Sequence, residues 1–178
     1  MELELLKYPI GKPQIPEMIT MKHIQEWINV LELFPKRLKL LVKNLSKEQL
    51  DTCYRPEGWT IRQVIHHVSD SHHNSYTRFK WTLTENQPII KAYYEDRWAE
   101  LFDSKSAPIE LSLNTIEALH AKWVYFLKGL SVEDLAQFFI HPEGNEKVSL
   151  KENIGIYAWH CNHHYEHINQ LLIRKNWK

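Results

Sequence analysis

Cysteine is nearly absent from this 178-residue chain: Cys53 and Cys161 are the whole supply. They form neither a disulfide framework nor a CxxC pair. An excess of charge is also missing, since 22 basic residues balance 22 acidic ones. Nucleic-acid binders carry a basic patch or stripe, so no nucleic-acid partner is expected. The one dense basic stretch, Lys36, Arg37, Lys39 and Lys43, is interleaved with leucines and reads as a solvated helix face. Long apolar runs are lacking too. Nothing approaches the roughly 20 residues of a membrane span, and Met1 to Tyr8 mixes acids with leucines, unlike a signal peptide. The expectation is a cytoplasmic protein with no membrane partner. Strand signals are almost missing throughout, which leaves an all-α chain.

The residues that are present can build a core. Hydrophobic residues make up 43% and aromatics 12%, which argues against a disordered or collagenous chain. The length suits one domain, residues 1–178, around one core. Histidine is the unusual count, at eleven. Eight of them fall into two groups: His66, His67, His72 and His73, then His160, His163, His164 and His167.

The chain opens with an arm, residues 1–17, whose Pro9, Pro13 and Pro16 predict extended backbone. Helical periodicity then runs from about Met18 to Leu45, and Pro35 is expected to kink or split it. A second helix spans about Ile61 to Leu83, opened by a Thr60/Gln63 capping box. A connection of more than 20 residues follows, with a short helix expected between Tyr93 and Phe102; it is long enough to cover a site. The third helix is placed at about Thr115 to Lys128, capped by Asn114 and Glu117. The fourth is placed at about Leu150 to Lys175, capped by Ser149 and Glu152. The simplest architecture is a four-helix bundle with an extended N-terminal arm and a long connection between helices two and three. Leu45–Leu50 followed by Pro56-Glu57-Gly58 echoes Leu130–Leu135 followed by Pro142-Glu143-Gly144, and each unit leads into a capped helix bearing one histidine group. This reads as a weak internal duplication.

His160 and His164 lie four apart on a helix, so they share a face one turn apart and can point at one ion. His163 and His167 form a second such pair, rotated by about 60°. A catalytic zinc normally takes three protein ligands, and the other histidine group can supply the third. His67 borders the Val64/Val68 stripe, whereas His66 lies about 100° away, so His67 is the better candidate.

The run Gly58-Trp59-Thr60-Ile61-Arg62-Gln63-Val64-Ile65-His66-His67-Val68-Ser69-Asp70-Ser71-His72 resembles the first histidine motif of the DinB/YfiT-like superfamily, in its YfiT branch of metal-dependent hydrolases. Tyr76-x-Arg78-Phe79-Lys80, Trp98-Ala99-Glu100-Leu101, Tyr157-Ala158-Trp159-His160-x-x-His163-His164 and the opening Leu6-x-Tyr8-Pro9-Ile10-Gly11 are similar to that branch as well. The resemblance covers essentially the whole chain. It implies a four-helix bundle, a homodimer, and one divalent metal per chain, zinc or nickel, held by His67, His160 and His164.

Two reactions are open to such a site. A metal can activate water for hydrolysis. It can instead bind and deprotonate a thiol; the resemblance extends to transferases that use a low-molecular-weight thiol such as bacillithiol. The expectation is a metal-dependent hydrolase acting on a small molecule, with thiol transfer as the alternative and a metal-binding or sensing module as the non-enzymatic one. Asp70, one turn after His67, is a candidate for proton transfer or for orienting a ligand. His163 is a reserve residue behind the ligands or facing substrate. Arg78 and Lys80 offer charge for an anionic substrate, but surface placement is the default for both. Cys161 points about 100° from His160 and reads as a small core residue.

Overall fold

The computed structural model describes residues 3–177. Its order is α1 (Leu3–Lys7), α2 (Met21–Val42), α3 (Lys47–Leu50), α4 (Ile61–Thr84), α5 (Glu95–Ala99), α6 (Phe102–Ser106), α7 (Ile109–Lys128), α8 (Val132–Ala136), β1 (Phe138–His141), β2 (Glu146–Ser149) and α9 (Leu150–Arg174). The four long helices, α2, α4, α7 and α9, form the bundle. α2 packs against α7 and α9, and α4 packs against the same two. The ring therefore runs α2, α7, α4, α9. Consecutive helices α2 and α4 sit on one diagonal, and α7 and α9 on the other.

Crossing a diagonal takes more chain than a tight turn. The two echoed sequence units supply it. In the first, Ser46 and Gln49 cap α3, an antiparallel Cys53/Thr60 bridge closes the loop around Pro56-Glu57-Gly58, and Thr60 with Gln63 caps α4. In the second, Ser131 and Asp134 cap α8, the β1–β2 hairpin encloses Pro142-Glu143-Gly144, and Ser149 with Glu152 caps α9. Gly144 and Asn145 take positive φ at the hairpin turn, and Glu57 does so in the first loop. Such backbone favours Gly and Asn. The hairpin itself was not expected from the sequence, because each strand is only four residues long.

The core follows helical spacing. Ile24, Ile28, Leu31, Phe34, Leu38 and Val42 are buried along α2, and Ile109, Leu113, Ile116, His120, Trp123 and Leu127 along α7. Each fully buried large apolar side chain contributes about 1.5–3 kcal/mol relative to exposure. From Ile61 to Ser69 every residue of α4 is buried. The reason is that α5 and α6 cover the face of α4 left open by α7 and α9.

Four sequence expectations need correction. Pro35 lies inside an unbroken α2 rather than dividing it. Its missing N–H leaves the Leu31 carbonyl without its helical donor, and His120 supplies one from α7, Nδ1 donating at 2.6 Å. Helix α7 starts at Ile109, six residues before the expected start. Ile109 and Leu113 extend its buried stripe back to Pro108, so Asn114 and Glu117 are interior residues. The arm is not wholly extended, since α1 forms one short helix before Pro9. The single helix expected between Tyr93 and Phe102 is two, α5 and α6.

Candidate metal centre

Helix α4 brings His67, and α9 brings His160 and His164, to the wall of a cavity of about 560 Å³. A ligand atom from each of the three lies within 4.8 Å of the others. The His67 and His160 Nε2 atoms are 3.3 Å apart. Two imidazole nitrogens on a tetrahedral zinc, each at 2.0–2.1 Å, stand about 3.3 Å from one another. The pair is therefore already at coordination spacing.

Hydrogen bonding decides which ring nitrogen faces the cavity. The Leu31 carbonyl can only accept, so His120 Nδ1 carries a proton. Burial drives the His120 pKa down to about 4, leaving the ring neutral. Its Nε2 must then accept from His72 Nδ1, at 2.7 Å. His72, fully buried and likewise neutral, accepts through Nε2 from His160 Nδ1, at 3.0 Å. His160 Nε2 is left as a bare lone pair toward His67. A second chain does the same for His164. His167 Nε2 donates to the Lys7 carbonyl at 2.9 Å, and its Nδ1 accepts from His164 Nδ1 at 3.3 Å. Each chain runs from a backbone carbonyl to a ligand histidine, the arrangement that fixes tautomer and ring orientation at metal sites. With the His67 proton on Nδ1, its Nε2 and that of His160 present two neutral lone pairs at a spacing that suits a cation. The residues fit a divalent metal.

Burial also holds the three rings neutral. It pushes His67 down to about 4, aided by His167, and depresses His160 and His164 well below the usual histidine range. Protons thus compete weakly for these nitrogens at neutral pH. Trp59, in the loop that leads into α4, lies over His67 with ring centroids 4.6 Å apart and also reaches His164.

Two other groups have ligand atoms close together: His72, His120 and Cys161, and His163, His164 and His167. In the first, both imidazoles are committed to the carbonyl-to-ligand chain. Its thiol is fully buried, which raises the Cys161 pKa far above ordinary and keeps the sulfur protonated. Cys161 is the core residue its position suggested. In the second group, His167 is spent on Lys7 and His164.

His163 is buried, stacks on Trp159 at 4.2 Å, and lines the cavity with Nδ1 unpartnered. Asp70 is placed elsewhere. It does not line the cavity and makes no hydrogen bond to His67; it faces Asp103 of α6. Burial, with Asp103 adding repulsion, raises its pKa to about 6. His66 also points away, its Nδ1 meeting Ser112 Oγ at 2.7 Å. Lys80 is exposed as expected, whereas Arg78 is buried on the cavity wall.

The fold and this histidine arrangement can be set beside known proteins. Residues 31–168 match the DinB superfamily. The chain belongs to the DinB superfamily. Among its relatives in this superfamily, one from Oceanobacillus iheyensis is 53% identical over 171 residues, spanning 96% of this chain and 98% of the relative. Another, from Bacillus cereus strain 03BB102, is 51% identical over 172 residues, spanning 97% and 98%. Both carry the name "Putative metal-dependent hydrolase". The solved structure of YfiT from Bacillus subtilis, described as "a probable metal-dependent hydrolase with an unusual four-helix bundle topology", superposes with a TM-score of 0.96. It is 44% identical, and the match covers 98% of this DinB-superfamily chain and 99% of YfiT. No helix among the described residues is long and apolar enough to cross a membrane.

Proposed function

We propose that this chain is a metal-dependent hydrolase whose His67, His160 and His164 hold one divalent metal, zinc or nickel. The observation that carries the reading is the pair of carbonyl-anchored histidine chains, which commit Nδ1 of His160 and His164 and leave their Nε2 atoms as lone pairs, with His67 gathered beside them on the wall of a cavity. A divalent ion there supplies Lewis acidity, lowering the pKa of water and polarising a carbonyl oxygen. The names of the relatives and the description of YfiT support the same reading.

The remaining steps belong to the chain. Trp59 lies against His67 and His164, and Trp159 stacks on His163 beside them. His163, neutral because burial lowers its pKa to about 3, lines the cavity and offers its ring as a contact for substrate. The Tyr157 hydroxyl is held by the Ser71 carbonyl at 3.2 Å and faces the cavity, so it can orient a polar group of the substrate. Asp70 has no step in this scheme, because its carboxyl lies outside the cavity.

The test is turnover by protein loaded with zinc or nickel. Simple esters and amides form one arm, and thiol-plus-electrophile pairs form the other. Hydrolysis lost in His160→Ala supports the proposal. Turnover confined to the thiol arm replaces hydrolysis with S-transfer, and none in either arm leaves a binding or sensing module.

A further inference from the structure

Among the described residues, Arg78 is a buried cation with no hydrogen-bond or ion-pair partner for its guanidinium. It is 8% exposed, and its Nε has no hydrogen-bond acceptor. Among the described residues no carboxylate forms an ion pair with it, and its side chain lines the cavity. Arg62, on the same helix and equally buried, shows the ordinary solution. Its Nε donates to Asp51 at 2.7 Å and its guanidinium also donates to the Ala107 carbonyl at 2.8 Å. A buried charge left without such partners is costly to the fold. A position that keeps one, opening into a cavity, fits a counter-ion that arrives with a ligand.

The placement favours the same conclusion. Arg78 follows His67 by eleven residues, which is about three helical turns and nearly the same face of α4. Long helical side chains lean toward the N-terminus, here toward the histidines. Between the two lies a small cluster of hydroxyls. Ser71 Oγ meets the Tyr157 hydroxyl at 3.2 Å, and the Tyr93 hydroxyl faces Ser71 within electrostatic reach of Arg78. Burial pushes the Tyr93 pKa upward, so its hydroxyl stays protonated and able to donate.

We propose that Arg78, with the Tyr93 hydroxyl and the Ser71 hydroxyl beside it, binds a carboxylate of the substrate while the histidines address its reacting end. The proposal rests on the reading of this cavity as the substrate site. One guanidinium balances one negative charge, and its planar fork matches a carboxylate. The Glu95 carboxylate also acts on the Tyr93 hydroxyl, so a doubly charged phosphate monoester would meet repulsion there. The substrate class is an elongated monocarboxylate whose reacting group lies at the opposite end.

The first arm of the test uses zinc-loaded protein. Calorimetric titration compares ω-mercaptoalkanoates of increasing chain length with the matching mercaptoalcohols and mercaptoalkyl phosphonates. The proposal expects a carboxylate of suitable length to bind about tenfold more tightly than its alcohol. That preference disappears in Arg78→Gln and is partly kept in Arg78→Lys. The second arm uses metal-free protein and follows the Arg78 Nε–H signal by NMR, which should shift with hexanoate and not with hexanol. This arm reads the arginine even if the metal proposal fails, and that failure would show separately as absent zinc. Equal binding of carboxylate and alcohol by the wild type, or an unmoved Arg78 signal, overturns the proposal without need of any variant. So does a carboxylate preference that survives in folded Arg78→Gln. Tighter binding of the phosphonate overturns the carboxylate assignment.

Discussion

His120 does not line the metal cavity, yet it should govern metal affinity. His120→Phe keeps a ring among Phe34, His72 and Trp123. It removes the donor to the Leu31 carbonyl and the acceptor for His72 Nδ1. Two buried polar groups lose their partners, at about 1–3 kcal/mol each. Leu31 has no fallback donor in its own helix, because Pro35 has no N–H. The metal-free fold should therefore lose about 2–6 kcal/mol. His72 is also freed to change tautomer, so His160 Nδ1 no longer has a committed acceptor. Loss of such a supporting partner typically lowers metal affinity by about 10–100-fold, or about 1.4–2.8 kcal/mol. Transmission through one intervening histidine places His120→Phe near the lower end of that range. The assay is zinc competition against a chromophoric chelator at constant pH, with thermal unfolding of the metal-free protein in parallel. His120→Gln, whose amide offers both a donor and an acceptor, should recover part of both losses. A variant that unfolds earlier but binds zinc as tightly as wild type would refute the argument, because the chain would then be structural only.

Acid should destabilise the metal-free protein. His67, His120 and His167 are lowered to about 4 and His163 to about 3, all mainly by burial, against about 6.5 when unfolded. The unfolded chain binds more protons in that interval, so stability is fully present above about pH 6.5 and falls as pH drops toward 4. Each such histidine adds a slope of up to about 1.4 kcal/mol per pH unit, and urea midpoints at successive pH values should reveal it; pH-independent midpoints would contradict it. Gly155→Ala should cost about 1–3 kcal/mol by overpacking, because the new Cβ would stand 2.8 Å from Ile15 Cδ1 and 2.9 Å from Trp27 Cη2. Unchanged thermal stability in that variant would count against the close seating of the N-terminal arm on α9. Thr60→Ala should cost about 1 kcal/mol through loss of the α4 cap, read from denaturant unfolding.

The long helices were legible where periodicity and capping boxes agree. Thr60/Gln63 and Ser149/Glu152 start α4 and α9 where the sequence placed them. Asn114/Glu117 misled, because a capping pattern inside an apolar stripe yields to the stripe. The spacing of His160 and His164 and the border position of His67 were enough to select three residues that the fold gathers within 4.8 Å. The partners behind them were not legible. His72 reaches His160 only through tertiary packing of α4 on α9, and His167 meets the arm across 160 residues of sequence. One signal was available: His120 interrupts the apolar stripe of α7, and Pro35 interrupts a helix that does not break. Each marks an unsatisfied polar group, and the structure pairs them. Asp70 shows the opposite failure, since a one-turn offset from His67 put it on the α6 side. Arg78 looked like a surface residue by type; it is buried, with Tyr93 from the connection after α4 close by.

The most direct test is elemental analysis of purified wild-type, His67→Ala, His160→Ala and His164→Ala proteins after equilibration with zinc or nickel and removal of loose ions. About one metal per chain is expected in the wild type and a large loss in each variant, with His163→Ala retaining it. Full occupancy in all three ligand variants, or none in the wild type, would contradict the three-histidine centre.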